Sequence, residues 1–175
     1  WRWPADQIKP LAQALKARRL AANSADAGLK LLSLRFDGSM DERPAAPGSL
    51  KGKLFVAQSG DVVFSKIDLR NGAIGIVPPA FEKAAFTAEF PIYQVQPDVA
   101  DSRYIQVLFR SDFFRATING MVSGASGRKR VAPEQLEAMP VPLPPMDVQR
   151  AIVTQWEQAQ AEVQRADFFG GITHC

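Results

Sequence analysis

The feature that most restricts the fold of this chain is a proline-rich segment that runs into a long amphipathic stretch near the C-terminus. Residues 139–145 contain four prolines, which lack the backbone donor and fix φ, so this segment is predicted to be extended and not central in a sheet throughout. A long helix capped by Asp147 is predicted directly after it. Its apolar residues recur at spacings of four, four, three and four, as in a coiled-coil seam: Val148, Ile152, Trp156, Ala159 and Val163.

We expect this helix to pack on a partner segment. A helix of about 20 residues is about 30 Å long, which is more than a small domain needs to cover its own core. The alternative is a terminal helix that folds back on its own domain, because the seam is only about three heptads long. The predicted organisation is therefore a domain over 1–145, a spacer or dimerisation helix over 146–169 and a tail over 170–175.

Composition predicts one folded domain. The chain has 175 residues, 46% of them apolar, which is enough to bury a core. A formal charge of +3 permits a polyanionic partner but does not require one. The apolar runs are too short to span a membrane, and the N-terminus is not a signal peptide, so a soluble cytoplasmic protein is expected. Since the chain starts at Trp1 and not at Met, it is expected to be trimmed or to be a piece of a longer protein.

Residue types argue against an enzyme. The single His and the single Cys are His174 and Cys175, at the extreme end, so no Ser-His-Asp or Cys-His centre, disulfide or structural zinc site is expected. The spacings of a common metal-dependent nuclease, of an amino-methyltransferase and of a phosphate-binding loop are also missing from the sequence. We therefore predict no catalytic residue, no metal site and no cofactor on this chain.

The remaining pattern predicts an α+β fold. A short helix, interrupted or started at Pro10, is predicted over 5–20. A surface loop is predicted over 40–52, two helical segments joined near Ser111 and one helical turn from Pro133. Clustered Val, Ile and Phe predict strands over 29–36, 53–57, 62–67, 73–77 and 86–95. The expected architecture is a single domain with a twisted mixed β-sheet and short helices, followed by the long coiled-coil-like helix.

A polar loop between two apolar strands, residues 65–72, is the first candidate for a nucleic-acid contact. Arg can bond guanine, Asn adenine, Asp cytosine, and Lys guanine or phosphate. The alternative is a β-hairpin in which Asn71 and Gly72 make the turn and the charged side chains form a solvated alternating face. The candidates for base or groove contact are Ser65, Lys66, Asp68, Arg70 and Asn71.

A glycine-rich basic stretch, residues 123–130, is the second candidate. Its glycines free the backbone, and its hydroxyl and cationic side chains suit contact with phosphates. The alternative is a flexible loop that carries a solvated run of charge. The candidates for phosphate contact are Ser123, Ser126, Arg128, Lys129 and Arg130.

The order of five motifs is more specific than any one of them. They lie at residues 60–67, 70–78, 89–93, 124–131 and 141–153. In this order they resemble the target recognition domain of type I restriction-modification specificity subunits, over roughly residues 25–165. The most specific motif is the last, in which Val-Pro-Leu-Pro-Pro runs into a helix that begins Met-Asp-Val-Gln-Arg-Ala-Ile-Val.

This resemblance implies a non-catalytic module that reads double-stranded DNA. Subunits of this family generally carry two such domains, each followed by a long helix, and the two helices pair antiparallel to set the distance between two half-sites. They also dock a methyltransferase subunit, which brings S-adenosylmethionine and adenine-methylating chemistry, and a restriction subunit; ATP and magnesium are expected on those partners. Glu89 would then be a buried partner for Arg70 or Lys66.

The chain departs from the family pattern because it holds one domain and one helix. It is either a fragment, or a half-size subunit that forms a homodimer through the helix and reads a symmetric bipartite site. Two other hypotheses stay open. One is the C-terminal recognition domain of a fused single-chain restriction-methylation enzyme, and the other is a protein-interaction scaffold whose loops are inert.

Overall fold

The computed structural model describes residues 2–23, 28–44, 52–122 and 130–170, and these ranges form an α+β fold. The strands are β1 (Ile8–Pro10), β2 (Leu15–Ala17), β3 (Lys30–Leu34), β4 (Met40–Glu42), β5 (Leu54–Gln58), β6 (Val62–Phe64), β7 (Ile74–Ile76), β8 (Lys83–Thr87), β9 (Ile92–Val95) and β10 (Pro140–Pro142). The helices are α1 (Ser102–Arg110), α2 (Asp112–Val122), α3 (Pro133–Glu137) and α4 (Met146–Gly170). The predicted fold class is confirmed.

The strands form two four-stranded sheets and one small ribbon. The first sheet has the order β2-β9-β6-β7, and its neighbours are antiparallel. The second has the order β4-β3-β8-β5 and is mixed, because β3 and β8 are parallel. Within the described residues, the proline-rich strand β10 pairs with β1 alone, in agreement with the prediction that this segment is extended and not central in a sheet throughout.

The first sheet is the middle layer of the domain. Side chains alternate along a strand, so Val62 and Phe64 of β6 face a cluster formed with α1, α2 and α3, while Val63 faces the second sheet. All three residues are fully buried. A strand that is covered on both faces needs no polar alternation, which explains the apolar run at this point of the sequence.

The predicted helix over 5–20 is wrong. This segment forms two 3-10 turns, Ala5–Gln7 and Leu11–Gln13, and the strands β1 and β2. Pro10 lacks the amide that a helix interior needs. The flanking residues instead pair with β10 and β9, so sheet pairing overrides the local helical spacing.

Two further predictions are corrected in detail. The single strand predicted over 86–95 is two strands in different sheets, because the chain turns at 88–91 and Phe90 N donates to Thr87 O. The loop predicted over 40–52 begins with β4, while residues 45–51 lie outside the described residues. Of the other predicted strands, β3, β6 and β7 are shorter than predicted and β5 is shifted by one residue, while the two helical segments and the turn from Pro133 lie where they were predicted.

Helix α4 covers its own domain with its first turns only. It begins at Met146. The prediction that Asp147 caps the helix is therefore wrong, because Asp147 lies in its first turn. Gln149 and Val153 are buried, whereas every residue from 157 to 170 is exposed. Of the predicted seam, Ile152 and Trp156 are half-buried, and the others are exposed: Val148, Ala159 and Val163. Among the described helices, none is both long and apolar enough to cross a membrane.

Candidate functional site

The candidate loop 65–72 has regular structure of its own and connects two paired strands. β6 and β7 form an antiparallel hairpin, and residues 65–73 connect them through a 3-10 helix, Leu69–Asn71. Leu69 is buried in the core, and the amide of Asp68 donates to Ser65 Oγ at 3.1 Å. Gly72 ends the helix with a φ of +103°, which only glycine adopts readily. The loop is therefore longer than the two-residue turn of the hairpin alternative.

The loop presents some of its polar residues and uses others internally. Ser65 is 5% exposed and its hydroxyl shapes the turn. Asp68 is half-buried and accepts a hydrogen bond from Asn71 Nδ2 at 3.3 Å. Arg70 and Asn71 are exposed, so they are the two predicted base-contact residues that this loop offers most fully to a ligand.

Arg70 and Asn71 border a depression of about 200 Å³ between the loop and the helices α1 and α2. Phe36, from the turn between β3 and β4, lies on the same rim and is 57% exposed. The lining also includes Arg110 and Arg115, together with buried apolar residues of the core such as Leu69 and Phe114. The structure thus places cationic, amide and aromatic groups from three segments around one depression.

Lys66 lies on the other side of the loop. It lines a separate cavity of about 260 Å³, together with Arg19 and Tyr93. Its carbonyl accepts from Val131 N at 2.8 Å, so the first candidate loop meets the residues that follow the basic stretch. The five predicted base-contact residues therefore do not form one cluster.

Of the basic stretch 123–130, the structure describes the last residue, Arg130. Ser123, Ser126, Arg128 and Lys129 lie outside the described residues. Arg130 is exposed, and its Nη2 donates to both carboxylate oxygens of Glu89 at 2.6 Å. The prediction that Glu89 is a buried partner of Arg70 or Lys66 is wrong: the side chain of Glu89 is 43% exposed, and Lys66 reaches Glu89 through the backbone, its amide donating to Glu89 O at 3.1 Å.

Sequence reasoning missed two residues that hold backbone segments together. Gln149 is fully buried; its Oε1 accepts from Asp101 N at 2.9 Å, and its Nε2 donates to Val99 O at 2.9 Å and to Pro144 O at 2.8 Å. A glutamine directly beside the apolar seam was the available signal. Arg110 donates to the carbonyls of Phe36, Gly72 and Ile74. No local sequence pattern predicts this role.

The Gly-Asp motif at residues 60 and 61 has a structural role. Asp61 is 3% exposed, and it accepts from Arg18 Nη2 at 3.1 Å and from Gln58 N at 2.9 Å. These bonds close the turn before β6 and tie it to the segment after β2. Within the described ranges, no group of three or more His, Cys, Asp or Glu residues is placed to hold a metal ion.

Comparison with curated proteins gives a match to a subunit of a restriction enzyme. The chain is 26% identical, over 143 residues, to the type I restriction enzyme EcoAI specificity subunit of Escherichia coli, a match that covers 74% of this chain and 23% of that protein. No protein-family model matches the chain. The sequence similarity therefore links the chain to one segment of a much longer subunit.

Two solved structures share the fold. The HsdS subunit from Thermoanaerobacter tengcongensis superposes with a TM-score of 0.73 and 20% identity, over 95% of this chain and 45% of that one. The second is a chain from a structure of complex assembly and conformational transition of the type I restriction-modification system. It superposes with a TM-score of 0.73 and 18% identity, over 97% of this chain and 46% of that one. The chain thus spans just under half of each. The resemblance predicted from the order of motifs is confirmed: the chain is similar in sequence to a type I restriction enzyme specificity subunit and has the fold of about half of an HsdS subunit.

Proposed function

We propose that this chain recognises double-stranded DNA as the target recognition domain of a type I specificity subunit, or of a half-size subunit. In this role it directs a separate adenine-N6 methyltransferase subunit and a restriction subunit to a bipartite target. The observation that carries the proposal is the agreement of two independent likenesses, in sequence to one specificity subunit and in fold to an HsdS subunit over 95% of the chain.

The candidate loop supplies chemistry that suits base reading. Arg70 carries a guanidinium that can bond guanine through two donors, and Asn71 carries an amide that can bond adenine in the same way. Both are exposed at the end of a short helix that Leu69 anchors in the core. The basic stretch, with Arg128, Lys129 and Arg130, supplies phosphate contacts that position the domain without reading sequence.

The exposed part of α4 supports the second half of the proposal. Residues 157–170 extend from the domain with every residue exposed, and Val163, Phe168 and Phe169 are each more than half exposed. Such a helix suits pairing with a like helix, from a second domain of a longer subunit or from a second copy of this chain. The methyltransferase and restriction subunits would bring the catalysis, with S-adenosylmethionine, ATP and magnesium, in the cytoplasm.

Mapping of methylated adenines in whole genomes tests this proposal. Cells with the intact gene and its methyltransferase are compared with cells that lack only the gene for this chain. We expect one bipartite methyladenine motif to disappear. Unchanged methylation would contradict the proposal, and a motif that survives on another specificity subunit would be recognised by its different sequence.

Substitutions then divide the contacts into two kinds. Arg70→Ala or Asn71→Ala should relax the motif at one position, because a lost bidentate base contact costs about 1–3 kcal/mol of discrimination. Arg128→Ala or Lys129→Ala should weaken binding to all sequences about equally, because phosphates carry no sequence information. The measurement is the affinity of the assembled complex for the motif duplex and for a shuffled duplex.

A further inference from the structure

The turn between β3 and β4 packs directly on the end of the candidate loop, backbone against backbone. A Cβ added at Gly72 would lie 2.1 Å from the carbonyl oxygen of Phe36, and one added at Gly75 would lie 2.1 Å from that of Gly38. Both distances are shorter than any real Cβ contact, so only glycine fits at either position. The two segments belong to different sheets, and this junction is where they touch without side chains between them.

Arg110, the last residue of α1, closes this junction. Its Nη1 donates to Phe36 O at 3.3 Å, and its Nη2 donates to Gly72 O at 3.1 Å and also to Ile74 O. Burial lowers the pKa of Arg110, an effect that nearby Asp37 opposes. A guanidinium has five donors in a fixed plane, so it can bond carbonyls from several segments at once, whereas the compact ammonium of lysine cannot match that geometry.

The residues that this junction fixes are the ones that the loop exposes. Arg70 and Asn71 directly precede Gly72, whose carbonyl Arg110 holds. On the other side, Leu69 is 2% exposed in the core. The exposed pair is therefore held at both ends, by a buried leucine and by a junction that one arginine closes.

We propose that Arg110 is a positioning residue for the candidate loop 65–72. It fixes the backbone at Gly72 so that Arg70 and Asn71 meet the DNA in one conformation, which reduces the entropy lost on binding and keeps the geometry that base reading needs. This inference rests on the proposed function of the loop. It assigns to Arg110 no direct contact with a base.

The ratio of affinities for two duplexes separates this role from the alternatives. If Arg110 only stabilised the fold, its loss would lower the folded fraction and weaken binding to all duplexes alike. If Arg110 bonded a phosphate, its loss would also weaken all duplexes alike. A positioning role instead lowers affinity for the motif duplex and leaves the affinity for other sequences nearly unchanged.

The experiment uses the complete specificity subunit in complex with its methyltransferase subunit. The probes are a duplex that carries the motif found by methylome mapping and a duplex of shuffled sequence. Arg110→Lys should lower the motif-to-shuffled affinity ratio about tenfold, as loss of a base contact does. Arg103→Lys is the matched control: it makes the same change at the other end of α1, where the guanidinium pairs with Asp101, and should leave the ratio within about twofold.

A second variant tests the same junction without changing a charge. Gly72→Ala drives a methyl group into Phe36 O and should lower the ratio as Arg110→Lys does. Gly60→Ala is its control, since Gly60 also has a positive φ, of +87°, but a Cβ there meets nothing within 4 Å. If both junction variants weaken the two duplexes equally, or change neither, the positioning role is overturned. If the unaltered complex itself fails to distinguish the duplexes, the proposed function fails first.

Discussion

Gln149 and Arg110 solve the same problem in two parts of the molecule: each side chain joins backbone groups from separate segments. Gln149 is neutral and fully buried, and it matches one amide and two carbonyls with its own acceptor and donors. Arg110 is charged and half-buried, and it bonds only carbonyls. The matched neutral junction suits the interior, where it fixes how α4 leaves the domain. The charged junction suits the rim, where the loop is presented to a ligand.

The largest effect is expected from removing the interior junction. Gln149→Leu keeps the apolar volume but leaves Asp101 N, Val99 O and Pro144 O without their partner. Since each unsatisfied buried group costs about 1–3 kcal/mol, the free energy of unfolding should fall by about 3 kcal/mol or more. Urea denaturation measures it. Gln158→Leu, on the exposed part of the same helix, is the control and should change it by less than about 0.5 kcal/mol. Equal effects would show that the Gln149 bonds contribute nothing.

The buried tyrosines are predicted to make the free energy of unfolding fall at high pH. The chain has two tyrosines, and both have a raised pKa: burial raises that of Tyr104, and burial together with the hydrogen bond to Glu137 raises that of Tyr93. A raised folded pKa means that the native state holds the phenol proton more tightly than the unfolded chain. The stability that each tyrosine proton contributes is thus intact below about pH 10 and falls above it, by about 1.4 kcal/mol per pH unit, until the pH reaches the folded pKa.

Tyr104→Phe checks that sign. The hydroxyl of Tyr104 donates to Pro142 O at 2.8 Å, so its loss should cost about 1 kcal/mol at neutral pH. Above pH 10 the difference from the unaltered chain should shrink, because phenylalanine cannot ionise. Denaturation at a series of pH values, with tyrosinate absorbance recorded alongside circular dichroism, measures both quantities. Tyrosinate that forms before the fold is lost would contradict the raised pKa values.

Two examples show which parts of the fold could be predicted from the sequence. The helix after the prolines was predictable because its period and its start are both local, and the apolar runs of the middle third predicted most strands for the same reason. The segment 5–20 was not, because its helical spacing is overridden by pairing with β9 and β10, which lie about 80 and 130 residues away. Pro10 was the one local warning.

Loss of the junction that Arg110 closes should lower the free energy of unfolding less than loss of the junction that Gln149 forms. In Arg110→Lys the ammonium keeps a positive charge and three donors that can still bond part of the carbonyl set, so we expect a loss of about 1 kcal/mol in the same urea measurement. Together with the predicted loss of target choice, this would separate presentation of the loop from stability of the fold. A loss as large as that of Gln149→Leu would instead make Arg110 an architectural residue like Gln149.

The candidate site was predictable to a similar extent. The exposed residues Arg70 and Asn71 could be named because they stand between two apolar strands with a glycine after them. The roles of Ser65 and Glu89 could not, since one depends on a 3-10 turn and the other on Arg130, 41 residues away. Arg110 has acceptors 36 to 74 residues away, and no spacing rule connects them.

The smallest effect is expected at a third polar contact, which holds no backbone. Arg130 and Glu89 form an exposed ion pair, with side chains 49% and 43% exposed, and such pairs contribute at most about 1 kcal/mol to stability. Glu89→Gln should therefore leave the fold intact, but it removes a negative charge and releases Arg130 toward phosphate. Affinity for duplexes of any sequence should rise by a few-fold, with a salt dependence steeper by about one charge.

The control for this last change is Glu42→Gln, which neutralises another exposed carboxylate, paired with Lys30 on the second sheet. Its net charge change is identical, so a purely global electrostatic effect would raise affinity equally in both variants. A rise confined to Glu89→Gln would place the phosphate contact at Arg130. Since neither carboxylate touches the junction at Gly72, the ratio of affinities for motif and shuffled duplexes should stay constant in both, which is the opposite of the result expected for Arg110→Lys.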